Sequence, residues 1–299
     1  PSDNITIDPT GVAGSGVLTL SPGDSYDAVF EPGANVTVIK GAGVSGDLII
    51  NNATNVTMDP TATVVVDGSV DIGHGGAGGI ADSISGNIVL TNITLDSDGD
   101  GDGSGGAAVL KVKSTGLGPD GILGTADDLG LNLGNITLKG TIDINANPDV
   151  PAQANDIEII ALNGSIINAS GSAIAIDEVD SLTLTAKGSI GSDAKPITVN
   201  AKNITVTSNS VTAGDANIFI TNTPNVLNID DSVGGDTVTL ATIDTGIEGK
   251  ITYRQAGQKL DITGPMKSHG GNILIDPPTD LSINALIDGD GGDVTAEAN

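Results

Sequence analysis

The 299-residue chain has no cysteine and no tryptophan, and only two phenylalanines and two tyrosines. Without cysteine there is no disulfide framework and no thiol nucleophile, so stability must come from repetition or from bound metal. With so few aromatics, a core has to be built from Ile, Val, Leu and Ala. That suits a narrow interior of stacked layers better than a compact globule, and it leaves little of the aromatic platform that a sugar cleft uses. Basic residues are also scarce. Eleven Lys and Arg face 38 Asp and Glu, a formal charge of −27 with pI about 4.1. Nucleic acid and anionic membrane need clustered cations, so both are excluded as partners, while solubility, self-repulsion and bound cations are favoured. No apolar run approaches the length of a membrane-spanning helix. There is no initiator Met and no signal peptide, and GGDVTAEAN stops inside a repeat. The expectation is a processed chain or, better supported, a piece of a longer one.

What the chain does have is glycine, 43 residues of it, and short apolar segments. From Asp156 to Thr207, segments begin at Ile157, Ile166, Ile174, Leu182, Ile190, Ile197 and Ile204, most alternating apolar with polar or small residues. This is the strand signal. The segments also match at longer range: the offsets 157 to 182, 166 to 190, 174 to 197 and 182 to 204 are 25, 24, 23 and 22 residues. Three short strands thus make a unit of about 22 residues. Together with tight turns and no helical pattern, this predicts an all-β parallel β-helix, or β-solenoid, with loop excursions. One such rung cannot stand alone. Six or so inward residues at about 1.5–2 kcal/mol each do not offset roughly 1–2 kcal/mol of backbone entropy for each of ~22 residues. Stacking is obligatory.

The expected layout is solenoid rungs over 1–95, an acidic glycine-rich calcium-binding excursion over 96–130, and regular rungs over 131–299 continuous with the first. Roughly 11 to 12 rungs at ~4.8 Å each predict a rod of about 55 Å.

Two loops carry the strongest chemical signal. Asp96, Asp98, Asp100 and Asp102 alternate with Ser or Gly, which brings hard oxygens together on a chain able to curl. The string starts like an EF-hand loop, but the twelfth position is Ala107 or Val109 and no helix flanks it. The reading is a Ca²⁺ site of another geometry, against a solvated acidic loop. In the second loop Asp120, Asp127 and Asp128 would repel one another strongly unless a divalent ion sat among them. A sparser cluster, Asp288, Asp290 and Asp293, reads as a plain turn.

Catalytic readings fare worse. The only histidines, His74 and His269, read as an exposed loop residue and a turn residue, and no nucleophile elbow or phosphate loop is present. A polysaccharide-cleaving β-helix enzyme is a remote alternative, because carboxylates are plentiful but their order does not fit. No catalytic residue is assigned. Thr205/Thr207 and Thr237/Thr239 do not recur at a constant offset and read as ordinary outward faces. Nine Asn-x-Ser/Thr triplets, among them Asn35, Asn55, Asn92, Asn135 and Asn203, read either as glycosylation acceptors or as natural turn-to-strand junctions.

LTLTAKGSIGS, PITVNAKNITVTS and GDANIFITNT, with GGNILIDPPTDLSINALIDGDGGDVTAEA, resemble the repeats of filamentous-haemagglutinin-type bacterial surface adhesins. The resemblance covers roughly residues 130–299 and, weakly, the beginning. That family's secretion domain, with its Asn-Pro-Asn motifs, has no counterpart here. The resemblance implies a right-handed parallel β-helix, an extracellular or cell-surface location and a shaft role in adhesion. Expected partners are neighbouring repeats or identical subunits stacked end to end as a filament, or a glycan or protein of a host or neighbouring cell.

Overall fold

The computed structural model describes residues 5–7, 16–23, 26–39, 46–74, 84–96, 108–116, 134–145, 155–171, 174–211, 215–224, 237–277 and 280–297. Among these residues the protein is all-β and solenoid-like, with 26 strands and no helix. Every pairing between strands is parallel, and each joins one stretch of chain to the next stretch of the same kind. Three ladders result. The first runs from Ile5–Ile7 through Asn35–Val38, Thr63–Val66, Asn92–Asp96 and Ile142–Asn145. The second runs from Gly16–Leu20 through Gly46–Ile50, Val70–Ile72, Val109–Ser114 and Asp156–Ala161. The third is a five-stranded sheet of Ala28–Phe30, Val56–Met58, Ile88–Leu90, Ile136–Leu138 and Ile166–Asn168. The strands Ile176–Ala186 and Ile197–Ser208 are long enough to serve the first and second ladders in one piece.

The register follows the sequence periodicity. Ile157 pairs with Leu182 and Leu182 with Ile204, 25 and 22 positions on. Ile166 pairs with Ile190, 24 positions on. Along the second ladder one inward column runs Leu48, Val70, Leu110, Ile157, Leu182, Ile204, Leu240 and Ile262, all fully buried. Stacking like on like puts aliphatic branches in contact across the whole ladder, and the alternating burial follows from the period-two direction of strand side chains. No pairing among the described residues links the first strands back to the last.

A second column sets the turn before the strands at Ile88, Ile136 and Ile166 of the third ladder. The backbone N–H of Asn87 donates to Asn55 Oδ1 (2.8 Å), that of Asn135 to Asn87 Oδ1 (2.9 Å), and that of Ser165 to Asn135 Oδ1 (2.8 Å). Further along, Lys250 N–H donates to Asn217 Oδ1 (2.9 Å) and Asp293 N–H to Asn272 Oδ1 (3.0 Å). Glycine precedes most of these residues because the rungs touch there. A Cβ on Gly164 would overlap the Gly134 carbonyl, and one on Gly271 the Gly249 carbonyl. The recurring triplet is therefore Gly, a polar cap, then Ile or Val: 86–88, 134–136, 164–166, 188–190, 249–251, 271–273 and 292–294.

The cross-section shifts along the stack. Ile218–Asn222 pairs at one end with Ile190 of the third ladder and along its length with Ile197–Val199 of the first, so those two faces merge. The far end of the second ladder breaks off as Met266–Lys267 and Ile287–Asp288. A buried polar knot marks this change. Asn222 donates to Tyr253 Oη (3.3 Å) and the Ala201 carbonyl (2.9 Å), and the Tyr253 hydroxyl donates to Gln255 Oε1 (2.7 Å). Burial holds the Tyr253 phenol above its ordinary range, an effect partly opposed by the Asn222 hydrogen bond.

Candidate functional site

The acidic-loop residues fall mostly outside the described residues: Asp98, Asp100, Asp102, Asp120, Asp127 and Asp128. Asp96 is the last residue of the strand Asn92–Asp96, in register with Asn145. The strand between the two acidic loops, Val109–Ser114, lies in the second ladder, paired with Val70–Ile72 on one side and Asp156–Ala161 on the other. Both loops therefore connect strands of adjoining ladders. Among the described residues no group of three or more His, Asp or Glu is arranged to hold a metal. In the third cluster Asp290 N–H donates to Asp288 Oδ1 (2.9 Å) and Asp290 has φ 45°, the geometry of a local turn.

The connections between strands differ in length. Residues 40–45, 97–107, 146–154 and 225–236 lie in connections that enter the second ladder, and 75–83 and 117–133 in connections that leave it. Connections from the third ladder back to the first run over 31–34, 59–62, 91, 139–141 and 169–175. The outer surface of the second ladder can be followed across adjoining strands.

That surface is polar except for Ile160. One row across adjoining strands reads Asp71, Lys111, Glu158, Thr183, Thr205 and Thr242. A parallel row reads Lys113, Ile160, Thr185, Thr207 and Asp244. These side chains alternate with the buried column and are at least partly exposed. His74 belongs to this face. Its backbone N–H donates to Asp71 Oδ1 (3.0 Å), and its Nε2 reaches Glu158 Oε2 (3.1 Å) across the intervening strand that carries Lys111. It is thus a partly buried bridge between rungs, contrary to the expectation of an exposed loop residue. Asp156, on the same strand as Glu158, has its carboxyl held above the usual range by burial first and then by Asp180, with Lys111 opposing.

The threonine stack is not visible in the sequence, because Thr205/Thr207 and Thr237/Thr239 are not partners in register. The pairs in register are Thr183 with Thr205 and Thr185 with Thr207, and a register shift then sets Thr242 opposite Thr205. His269 is a turn residue, as expected, and its Nε2 lies 2.8 Å from Asp244 Oδ1. Several of the triplet asparagines are hydrogen-bonded within the stack. Asn55, Asn92, Asn168 and Asn203 each direct Nδ2 to an oxygen of a neighbouring rung, at 2.9, 3.0, 2.7 and 2.9 Å.

Compared with known proteins, the chain matches no family model, no curated protein and no solved structure.

Proposed function

We propose that this chain is a structural and adhesive segment of a large secreted bacterial surface protein, built as a three-sided right-handed parallel β-helix and non-enzymatic. The observation that carries the reading is the run of parallel ladders through every described part of the chain, with the first and last described strands each paired on one side among the described residues. Eleven strands follow one another along the first ladder and its continuation, and at ~4.8 Å per strand this gives a rod of about 50 Å. Such a rod is stiff because bending it must open hydrogen bonds and separate an aliphatic column at the same time. The repeat resemblance supports an extracellular, cell-surface location. Open ends suit either continuation into neighbouring repeats or end-to-end filament assembly, since an unpaired strand edge templates another strand.

Calcium completes the reading. Asp96, Asp98, Asp100 and Asp102, with Asp120, Asp127 and Asp128, would supply carboxylates around Ca²⁺ and relieve their own repulsion. Two measurements test the proposal. Small-angle scattering should give a constant cross-section and an elongated shape, and a compact particle would overturn the rod. Thermal melting followed by circular dichroism should show a higher midpoint in Ca²⁺ than in EGTA, and identical curves would remove calcium from the reading.

Among the described residues no helix is long and apolar enough to cross a membrane.

A further inference from the structure

We propose that the last described rung, formed by Leu281–Ile283, Ile287–Asp288 and Val294–Ala296, is a docking surface for the first described rung of a second copy of this chain, so that copies stack head to tail by continuing the parallel ladders. The proposal rests on the β-helix reading above and names the partner of its ends.

The core shows where cover is missing. The inward column of the second ladder is fully buried from Leu48 to Ile262, but it begins one rung earlier at Leu18 and ends one rung later at Ile283. Leu18 is only partly buried, and Ile283 is 48% exposed. Among the described residues, the apolar side chains that pack against the core without being buried in it are Leu18, Leu20, Leu281, Ala285 and Ile287, all in these two rungs. Leu286 and Val294, 60% and 48% exposed, widen the apolar layer of the last rung. Covering such a layer is favourable in proportion to its area.

Apolar area alone would not choose a partner, but the strand edges do. Among the described residues Leu281–Ile283 pairs only with Lys259–Ile262, Ile287–Asp288 only with Met266–Lys267, and Val294–Ala296 only with Ile273–Asp276. Ile5–Ile7 and Gly16–Leu20 likewise pair only with Asn35–Val38 and Gly46–Ile50. Gly16–Leu20 and Leu281–Ile283 are the two ends of one series of parallel strands. Ile5–Ile7 and Val294–Ala296 are the two ends of another. A copy whose first rung takes the place of the next rung therefore meets edge with edge in the parallel sense and sets Leu18 on Ile283. Such a head-to-tail contact does not close on itself, and its product is a linear filament.

Other occupants fit less well. A lone extended peptide covers one edge but not the other edges and the layer between them. Two last rungs meeting face to face would wind in opposite senses, which prevents parallel pairing from continuing on every face. They would also crowd Asp288, Asp290 and Asp293 against their counterparts. Charge still sets a condition on head-to-tail stacking. Asp27 and Glu31 lie in the first rung, and the chain carries a formal charge of −27, so repulsion opposes docking until salt screens it.

The test is sedimentation velocity on the intact chain over a range of concentrations, at about 0.01 M and about 1 M NaCl, where the Debye length is ~30 Å and ~3 Å. EGTA is present throughout, so that calcium cannot bridge carboxylates of two copies. Expected is a concentration-dependent series of oligomers, stronger at high salt, whose scattering cross-section stays constant as length grows. Ile283→Lys and Leu18→Lys, one at each end of the column, should each weaken association about tenfold or more by placing an ammonium beneath the incoming rung. Ile167→Lys, exposed on the outer face of the third ladder, should leave it unchanged. Mixed in equal amounts, the two end variants should form dimers and nothing longer, because each keeps the end that the other has lost. Circular dichroism verifies the fold of each variant, and Ile283→Lys, at an already exposed position, decides the matter should Leu18→Lys fail to fold. A chain that stays monomeric throughout, association that falls with salt, association indifferent to Ile283→Lys, or mixed folded variants that give only monomers or long oligomers would overturn the proposal. The rod itself is judged by scattering from the dilute monomer, so docking can fail while the β-helix reading stands.

Discussion

The rungs over 237–297 and those over 46–171 share one scaffold but not one spacing. Near the C-terminus Leu260 pairs with Leu281, Met266 with Ile287 and Ile273 with Val294, each 21 positions on. In the central region Ile88 pairs with Ile136 and Leu110 with Ile157, 48 and 47 positions on. Ladder register is nonetheless kept. Chain length between rungs therefore does not set the stacking. The fixed quantities are the aliphatic columns and the glycine–cap–isoleucine turn, and any length of connection that returns the chain to them is tolerated.

If that is right, equivalent column residues should matter equally in both regions. The largest effect is expected for Gly164→Ala in the central region and Gly271→Ala in the regular one, each forcing a methyl into the backbone of the adjoining rung. Both should lose about 3 kcal/mol in urea unfolding. Gly171→Ala, which meets nothing within 4 Å, should stay within about 0.5 kcal/mol of the parent. A tolerated Gly164→Ala beside a damaging Gly271→Ala would show that the central rungs are more loosely stacked.

Removing a cap comes next. Asn87→Ala and Asn272→Ala each strip the acceptor from a neighbouring N–H, that of Asn135 or Asp293, and each should lower stability by about 1–2 kcal/mol. A loss confined to one region would break the equivalence.

Tyr253→Phe probes the regular region alone. Leaving Gln255 Oε1 without its hydroxyl donor should lose about 1 kcal/mol. The phenol's folded pKa lies above its unfolded value, so the folded state keeps its proton longer. Parent stability should therefore fall as pH rises beyond about 10, and the variant should lack that component. Absorbance titration of tyrosinate against unfolding will check it.

The smallest effect belongs to Asp156. Its raised folded pKa makes this carboxyl favour the folded state below about pH 4 and oppose it progressively as pH rises through the folded value. Asp156→Asn should flatten that slope and raise the melting midpoint at pH 7 by about 1–2 °C. An unchanged profile would mean that burial and Asp180 do not act on the group as placed.

Much of this was legible residue by residue. The apolar starts at Ile157, Leu182 and Ile204 gave the rung length, because a solenoid writes its spacing directly into the chain. The asparagine caps were visible too, as Asn before Ile or Val, but their partners are 21 to 48 residues away and several of them resemble glycosylation triplets. His74 was misplaced because nothing local ties it to Glu158, 84 positions on. The threonine grid was missed for a related reason: the rung after Thr205 continues at Thr242, beyond a 36-residue gap and a register shift.

Composition and periodicity, then, determined an all-β chain with an aliphatic core and stacked rungs, since both follow from side-chain period and from the need to bury faces that no single rung can cover. Which residues share a face was decided only by the tertiary structure. Lateral pairing joins positions at variable separation, and the sequence writes no number for how far the chain must travel before it meets itself again.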